Sequence, residues 1–379
     1  MKSRKVLAVT TNFPSPRFPE KGVFVRNILL EMTRQNADVD VIAPLSWVAG
    51  LKTLFKPKQK VNLSPLNVQQ PMITTFSLRF GKFIYKFFMW LNDLSFNRGV
   101  RRSINHDTKY DFCYCHFLRS GLAVVDLLKS KNTPIVLNVG ESNLSVYDNY
   151  YGSEWIEKLS DFDHILAVSK ENRDILLKRN PLLEKNIHYV PNGVNTNIFH
   201  PRDKLKCREK LHIDLNKKIV VFVGHFIERK GVQLVSQAIS RLGIYGIFLG
   251  QGPLRPVGEY VLYAGSVVNE ELPYWLSSAD VFILPSKAEG MSNAILEAMA
   301  CGLPLIVSDL EFNHEFLDSA CAEFINPVDI DDICSAIEKV FSDNRQKEMS
   351  ESCVKLSKKY TIENRIRTIF GLVDGNLTG

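Results

Sequence analysis

The stretch 279–309, ADVFILPSKAEGMSNAILEAMACGLPLIVSD, leaves a chain few ways to fold. Its apolar run at 281–284 is short and unbroken, which suits a strand buried on both faces. Residues 285–291 read as a loop. A helix is predicted from Asn293, with Ser292 as its N-cap. Gly302 stops that helix, Pro304 follows, and 305–307 returns as the next parallel strand. Strand, loop, helix, strand in this order is a unit of an α/β protein.

The loop gives this unit its chemistry. A helix N-terminus exposes unpaired N–H groups and the positive end of the macrodipole. Gly290 lets the backbone approach a ligand closely. Such a place suits a phosphate or sugar hydroxyls. Two carboxylates bracket it, Glu289 in the loop and Glu297 about one turn into the helix. Helical side chains lean toward the N-terminus, so Glu297 faces the same place. A carboxylate accepts well from vicinal hydroxyls, as in ribose recognition. A plain surface acid and a dipole-complementing glutamate account for the same residues.

Glu289 and Glu297 stand eight apart, with EGMSN opening the interval and EAMACGLPLIVSD closing it. This pattern resembles the E-x7-E signature of family-4 retaining glycosyltransferases. The resemblance implies the GT-B fold, two Rossmann-like doubly wound α/β domains facing each other across a cleft. It implies Glu289 as a catalytic residue beside the donor sugar. The backbone of Gly290, Met291, Ser292 and Asn293 would meet sugar and diphosphate, and Glu297 would hold the ribose.

The 379 residues suit two domains, each able to bury its own core. The expected boundaries are 1–195 for an N-terminal acceptor-binding domain, 196–360 for a nucleotide-sugar-binding domain, and 361–379 for a helix crossing back. Seven cysteines without framework spacing point to a reducing cytosol. The first residues, MKSRKVLAVTTNF, read as a strand and not a signal peptide. No apolar run approaches the ~20 residues that span a bilayer. The expected location is therefore cytoplasmic, peripheral on the inner face of the plasma membrane.

In the first half, 6–9 is a buried strand and the loop 10–22 leads through Gly22 into a helix. The resemblance places Gly22 near the donor phosphates or the acceptor. Between Asp40 and Asp93 there is no acidic residue but seven basic ones, Lys52, Lys56, Lys58, Lys60, Arg79, Lys82 and Lys86. Phe80, Phe83, Ile84, Phe87, Phe88 and Leu91 recur at helical spacing, and Arg98, Arg101 and Arg102 extend the charge. Segment 47–102 thus reads as a basic aromatic insertion that touches anionic membrane, or as a helix packed on the N-domain core. The strand at 110–115 ends at His116, on the carboxyl edge where open α/β sheets bind ligands. The resemblance makes His116 catalytic, near the reactive part of the sugar. The next strand ends in Gly140-Glu141-Ser142, where relatives carry His-Gly-Ser.

Pro191-Asn192-Gly193-Val194 is turn chemistry that marks the passage to the second domain. There, VVFVGHFIERKGVQLVSQAI again reads strand, glycine loop, helix. Gly224 allows close approach, and Arg229 and Lys230 stand where they can neutralise a diphosphate. The resembled family has an arginine where this chain has His225. No room for a helix remains between strands at 247–249 and 261–264, and Val267 falls where the family's nucleotide base rests.

The implied reaction is transfer of a sugar from a nucleotide-sugar donor to an acceptor hydroxyl, with retention, on a lipid-linked saccharide. No cofactor is expected. The Asp-x-Asp triplets at 38/40, 161/163 and 329/331 read as structural, so no metal is expected either. A nucleotide-sugar epimerase and a silent donor-binding subunit are the competing readings. Nucleic-acid binding is disfavoured, because the basic stretch stands without a motif.

Overall fold

The structure is a computed structural model, and it describes residues 3–47, 61–75, 82–141, 144–342 and 345–376. Lys52, Lys56, Lys58, Lys60, Arg79, Phe80 and Ser142 lie outside the described residues. So do the side chains of Lys82, Phe83, Ile84 and Lys86. The chain divides into two compact units, Met1–Val190 with Ile366–Gly379, and Pro191–Arg365.

The strands of the first unit are β1 (Arg4–Thr10), β2 (Ala37–Ile42), β3 (Leu45–Ser46), β4 (Asn67–Gln69), β5 (Met72–Ile73), β6 (Phe112–His116), β7 (Ile135–Val139), β8 (His164–Ala167) and β9 (Ile187–Tyr189). Seven of them form one parallel sheet in the order β4-β2-β1-β6-β7-β8-β9. The order reverses between β1 and β6, the arrangement of a doubly wound sheet. Phe112 to His116 are all buried, as expected of a strand covered on both faces. β3 and β5 pair separately, two residues each, and carry no periodicity that a sequence reading could detect.

Helices cover this sheet. Val23–Arg34 (α1) buries Val25, Ile28, Leu29 and Met32, the predicted face. Lys82–Ser103 (α2) turns part of its aromatic stripe outward. Its buried residues are Asn92, Phe96 and Val100, whereas Phe87, Trp90 and Leu94 are exposed at 53%, 58% and 40%. Phe87 therefore does not join an apolar core face. The side of α2 that turns inward is fixed further along the helix. Gly99 lies so close to Ile73 that a Cβ there would come within 2.7 Å of its Cγ2. Arg119 also reaches Asp93 at 2.8 Å and lies over the Phe96 ring.

The second unit holds β10 (Ile219–Val223), β11 (Tyr245–Leu249), β12 (Val261–Gly265), β13 (Val281–Leu284), β14 (Leu305–Ser308) and β15 (Ala322–Ile325). They form a parallel sheet ordered β12-β11-β10-β13-β14-β15. The order reverses between β10 and β13. Val232–Leu242 (α3) follows β10, and Asn293–Ala300 (α4) follows β13. No helix separates β11 from β12, as the short spacing predicts. Val221, Phe222, Ile247, Phe248, Phe282, Ile283 and Ile306 form its buried centre.

The last helix, Ile362–Val373 (α5), begins in the second unit and ends in the first. In the first unit, Phe370 meets Phe112 edge to face and lies under Arg4, which pairs with Asp374 at 2.6 Å. All seven cysteines are free and buried. Among the described residues no helix is long and apolar enough to cross a membrane.

Candidate donor site

The second unit gathers most of the predicted residues at its strand-order reversal, where a parallel α/β sheet leaves a crevice at its carboxyl edge. The loop after β10 carries Gly224, Arg229 and Lys230. The loop after β13 carries Glu289 to Ser292. The two loops are locked together. Gly231 has φ 70°, and a Cβ there would sit 2.6 Å from the Pro285 carbonyl oxygen, so only glycine fits. Lys287 N–H donates to the Arg229 carbonyl at 2.8 Å.

Across this junction charge meets charge. Lys230 Nζ donates to Glu289 Oε1, and the Ser286 hydroxyl donates to the same oxygen at 2.6 Å. Arg229 Nη1 lies 3.8 Å from it and donates to the Ala288 carbonyl. The Lys230 and Glu289 side chains are only 12% and 10% exposed, so the pair is little screened. A Cβ on Gly224 would lie 3.8 Å from Lys230 Cδ, which sets the lysine stem against the end of β10. Ser286 joins this cluster unannounced, since a lone serine in a loop carries no signal in sequence.

Ser292 stands at the N-cap of α4, as predicted, but its side chain makes no capping bond. The backbone N–H groups of Glu289, Gly290, Met291, Ser292 and Asn293 have no hydrogen-bond partner among the described residues. Gly290, Met291 and Ser292 are buried and Asn293 half-buried. This is a row of donors ending in an uncapped helix start, a surface suited to an anion.

Glu297 lies on the first turns of α4. Its carboxyl has no hydrogen-bond or ion-pair partner among the described residues, and burial pushes its pKa up to about 8. Val267 is half-buried at the end of β12, where the Tyr263 hydroxyl donates to the Ser266 carbonyl at 2.9 Å. His225 is exposed.

His116 and Gly22 belong to the first unit, at the reversal between β1 and β6. Gly22 has φ 66°, and a Cβ there would lie 2.3 Å from the Asn12 carbonyl oxygen, so it is required for the entry into α1. His116 is 3% exposed. Its Nδ1 is 2.9 Å from the Tyr114 hydroxyl, and the Asn138 amide donates to Nε2 at 3.3 Å. Both ring nitrogens are thus engaged within the unit, and the Phe24 and Phe117 rings flank the imidazole. Glu141 receives bonds from Leu118 N–H and the Tyr147 hydroxyl, both at 2.8 Å, and burial raises its pKa. The Asp-x-Asp carboxylates have protein partners. Asp40 binds Lys5, Asn67 and Tyr110, Asp163 accepts from Ile135 N–H, and Asp329 caps its helix start.

Two doubly wound parallel sheets, one with paired glycine loops, cations and an E-x7-E segment at its reversal, define a glycosyltransferase of the GT-B class. The chain belongs to the group 1, family 4 glycosyltransferases: residues 21–198 match Glycosyltransferase Family 4 and residues 217–343 match Glycosyl transferases group 1. It is 27% identical over 329 residues to the protein assigned to teichuronic acid biosynthesis as glycosyltransferase TuaC of Bacillus subtilis, covering 81% of each chain. It is 25% identical over 280 residues to the Escherichia coli UDP-Gal:alpha-D-GlcNAc-diphosphoundecaprenol alpha-1,3-galactosyltransferase, covering 65% of this chain and 70% of that one. Its fold superimposes on sucrose-phosphate synthase from Thermosynechococcus elongatus with a TM-score of 0.77, at 16% identity, over 99% of this chain and 100% of that one.

Proposed function

We propose that this glycosyltransferase moves a sugar, with retention, from a nucleotide-sugar donor to a hydroxyl of a lipid-linked saccharide during surface polysaccharide assembly. The observation that carries the reading is the convergence of Lys230 and Arg229 on Glu289 beside five unpaired backbone N–H groups. The physical demand of the reaction is to stabilise a departing nucleoside diphosphate. Preoriented cations and N–H donors meet it electrostatically. They supply the positive potential without a metal ion, and the reading is metal-independent. Glu297 accepts from the ribose hydroxyls.

Retention has two routes, a glycosyl–enzyme intermediate on a carboxylate or same-face attack through an ion-pair-like transition state. Glu289 Oε1 already shares an ammonium and a hydroxyl donor, which makes it a poor nucleophile. This supports an orienting role and same-face attack, with the donor phosphate oxygen taking the acceptor's proton.

The acceptor reading draws support from the lipid-linked acceptor in the E. coli relative's name and from α2. Phe87, Trp90 and Leu94 are exposed, and three- and four-residue steps continue their stripe through the exposed Arg98 and Arg101. Aromatic side chains followed by arginines suit an interface of acyl chains and anionic headgroups.

The test is a thermal-shift screen against UDP, GDP and ADP and their sugars, followed by transfer assays with membrane extracts as acceptor in the presence of a chelator. One base raises the melting temperature by mass action, and product forms without added metal. Products from donor alone, or donor binding without transfer to any acceptor, would replace the reading with an epimerase or a silent subunit.

A further inference from the structure

Asn192 belongs to the Pro-Asn-Gly segment that starts the second unit, which is irregular and not a closed turn, and its side chain reaches the donor loop. Its Nδ2 donates to the Met291 carbonyl at 2.9 Å, and its backbone N–H meets Met291 Sδ at 3.2 Å. Residues 99 positions apart are thereby joined, and one of them lies in the middle of the donor loop.

The peptide plane makes this contact directional. In a trans peptide the carbonyl and the following N–H point opposite ways. Holding the Met291 carbonyl toward Asn192 turns the Ser292 N–H away from it, and that N–H is unpaired. The same arrangement recurs three residues earlier. Arg229 takes the Ala288 carbonyl, and the Glu289 N–H is unpaired. Two carbonyls of the loop are held by side chains, and the N–H groups between and after them are left for a ligand. A flipped Met291–Ser292 peptide would present a carbonyl oxygen where a donor stood, which repels an anion.

The mount of Asn192 is rigid. Val194 N–H donates to the Tyr360 carbonyl at 2.8 Å, and Ile362 N–H returns a bond to the Val194 carbonyl at 2.9 Å. Arg365 Nη1 donates to the Pro191 carbonyl. Asn192 is thus presented from a backbone clasped on both sides.

We infer that Asn192 is a positioning residue for the donor: it fixes the Met291–Ser292 peptide so that the loop's N–H row faces the diphosphate. This deepens the reading of the donor site and rests on it.

The experiment compares wild type, Asn192→Ala and Lys230→Ala. The probes are whichever of UDP, GDP and ADP raises the wild-type melting temperature, and the matching nucleoside without phosphates. Asn192→Leu, similar in volume and without a donor, replaces the alanine variant if that one does not fold. For Asn192→Ala, affinity for the nucleoside diphosphate falls on the order of tenfold or more, the scale of one hydrogen bond to a charged group. Affinity for the nucleoside stays within about twofold, and the ligand-free melting temperature stays within a few degrees. If Lys230→Ala loses diphosphate affinity and Asn192→Ala does not, the inference about Asn192 is wrong and the donor site stands. Equal losses for nucleoside and diphosphate also overturn it, because they report general damage. If neither variant changes diphosphate affinity, the donor-site reading itself fails.

Discussion

Glu297 is the group whose substitution gives the sharpest reading of this site. Its ordinary pKa of 4.5 is raised to about 8 by burial alone, and no bond offsets that burial. A folded-state pKa above the unfolded one contributes stability that is complete below pH ~4.5 and is lost as pH rises through about 8. One pKa unit corresponds to about 1.4 kcal/mol. Holding the proton at pH 7 therefore costs the folded state about 3 kcal/mol relative to the unfolded chain, and about 5 kcal/mol above pH 8. Water reaches part of the residue, so these are upper figures. Glu297→Gln removes the titration and keeps the shape. The variant should match wild type near pH 4.5 and melt higher by roughly 2 to 10 °C at pH 7 to 9. Above about pH 8, where Glu297 is ionised, the variant should also lose nucleotide affinity, because an amide is a weaker acceptor for ribose hydroxyls than a carboxylate. Melting curves with and without UDP, GDP or ADP between pH 4.5 and 9 measure both effects. A difference between variant and wild type that stays flat with pH would refute the buried, unpaired state of Glu297. Unchanged nucleotide binding would remove it from the ribose site.

In the first unit, His164 Nδ1 and His188 Nε2 stand 3.2 Å apart, and burial lowers both pKa values. Lowered histidines give stability above their unfolded pKa of ~6.5 that is lost on acidification. Melts from pH 7.5 to 5.5 should therefore show the first unit weakening, opposite to the trend from Glu297 in the second. His188→Phe should flatten the acid limb, and an unaltered limb would sink this account. On α2, Phe87→Ala with Trp90→Ala should lower sedimentation with anionic vesicles at low salt several-fold, and equal sedimentation would exclude this face as the membrane contact.

What could be seen in the sequence was local. The strand–loop–helix around Glu289, the glycines at 224, 231 and 290, and the missing helix after β11 each depend on residues close in the chain. They sit where spacing puts them. Ser292 shows the limit of that reasoning, because its position at the cap was legible and its failure to make the capping bond was not. His116 was legible as a strand end, while its engagement by Asn138 depends on a neighbouring strand. Phe87 was left between membrane and core because periodicity finds an apolar stripe without saying what covers it. The contacts of Gly99 and Phe96 decide which way α2 turns. Asn192 was hidden for a similar reason: in Pro-Asn-Gly an asparagine reads as turn chemistry, and its bond to Met291 spans 99 positions.

The division of α5 between the two units bears on how the chain is made. The second unit is continuous, so all its residues have been synthesised once Arg365 leaves the ribosome. The first unit is begun earlier and finished last, because Phe370 and Asp374 must return to Phe112 and Arg4. Until then the start of the protein waits with part of its apolar surface uncovered. A chain stalled or clipped just before residue 366 would therefore fail at its beginning and not at its end, and chaperone binding during synthesis should fall on the first 190 residues.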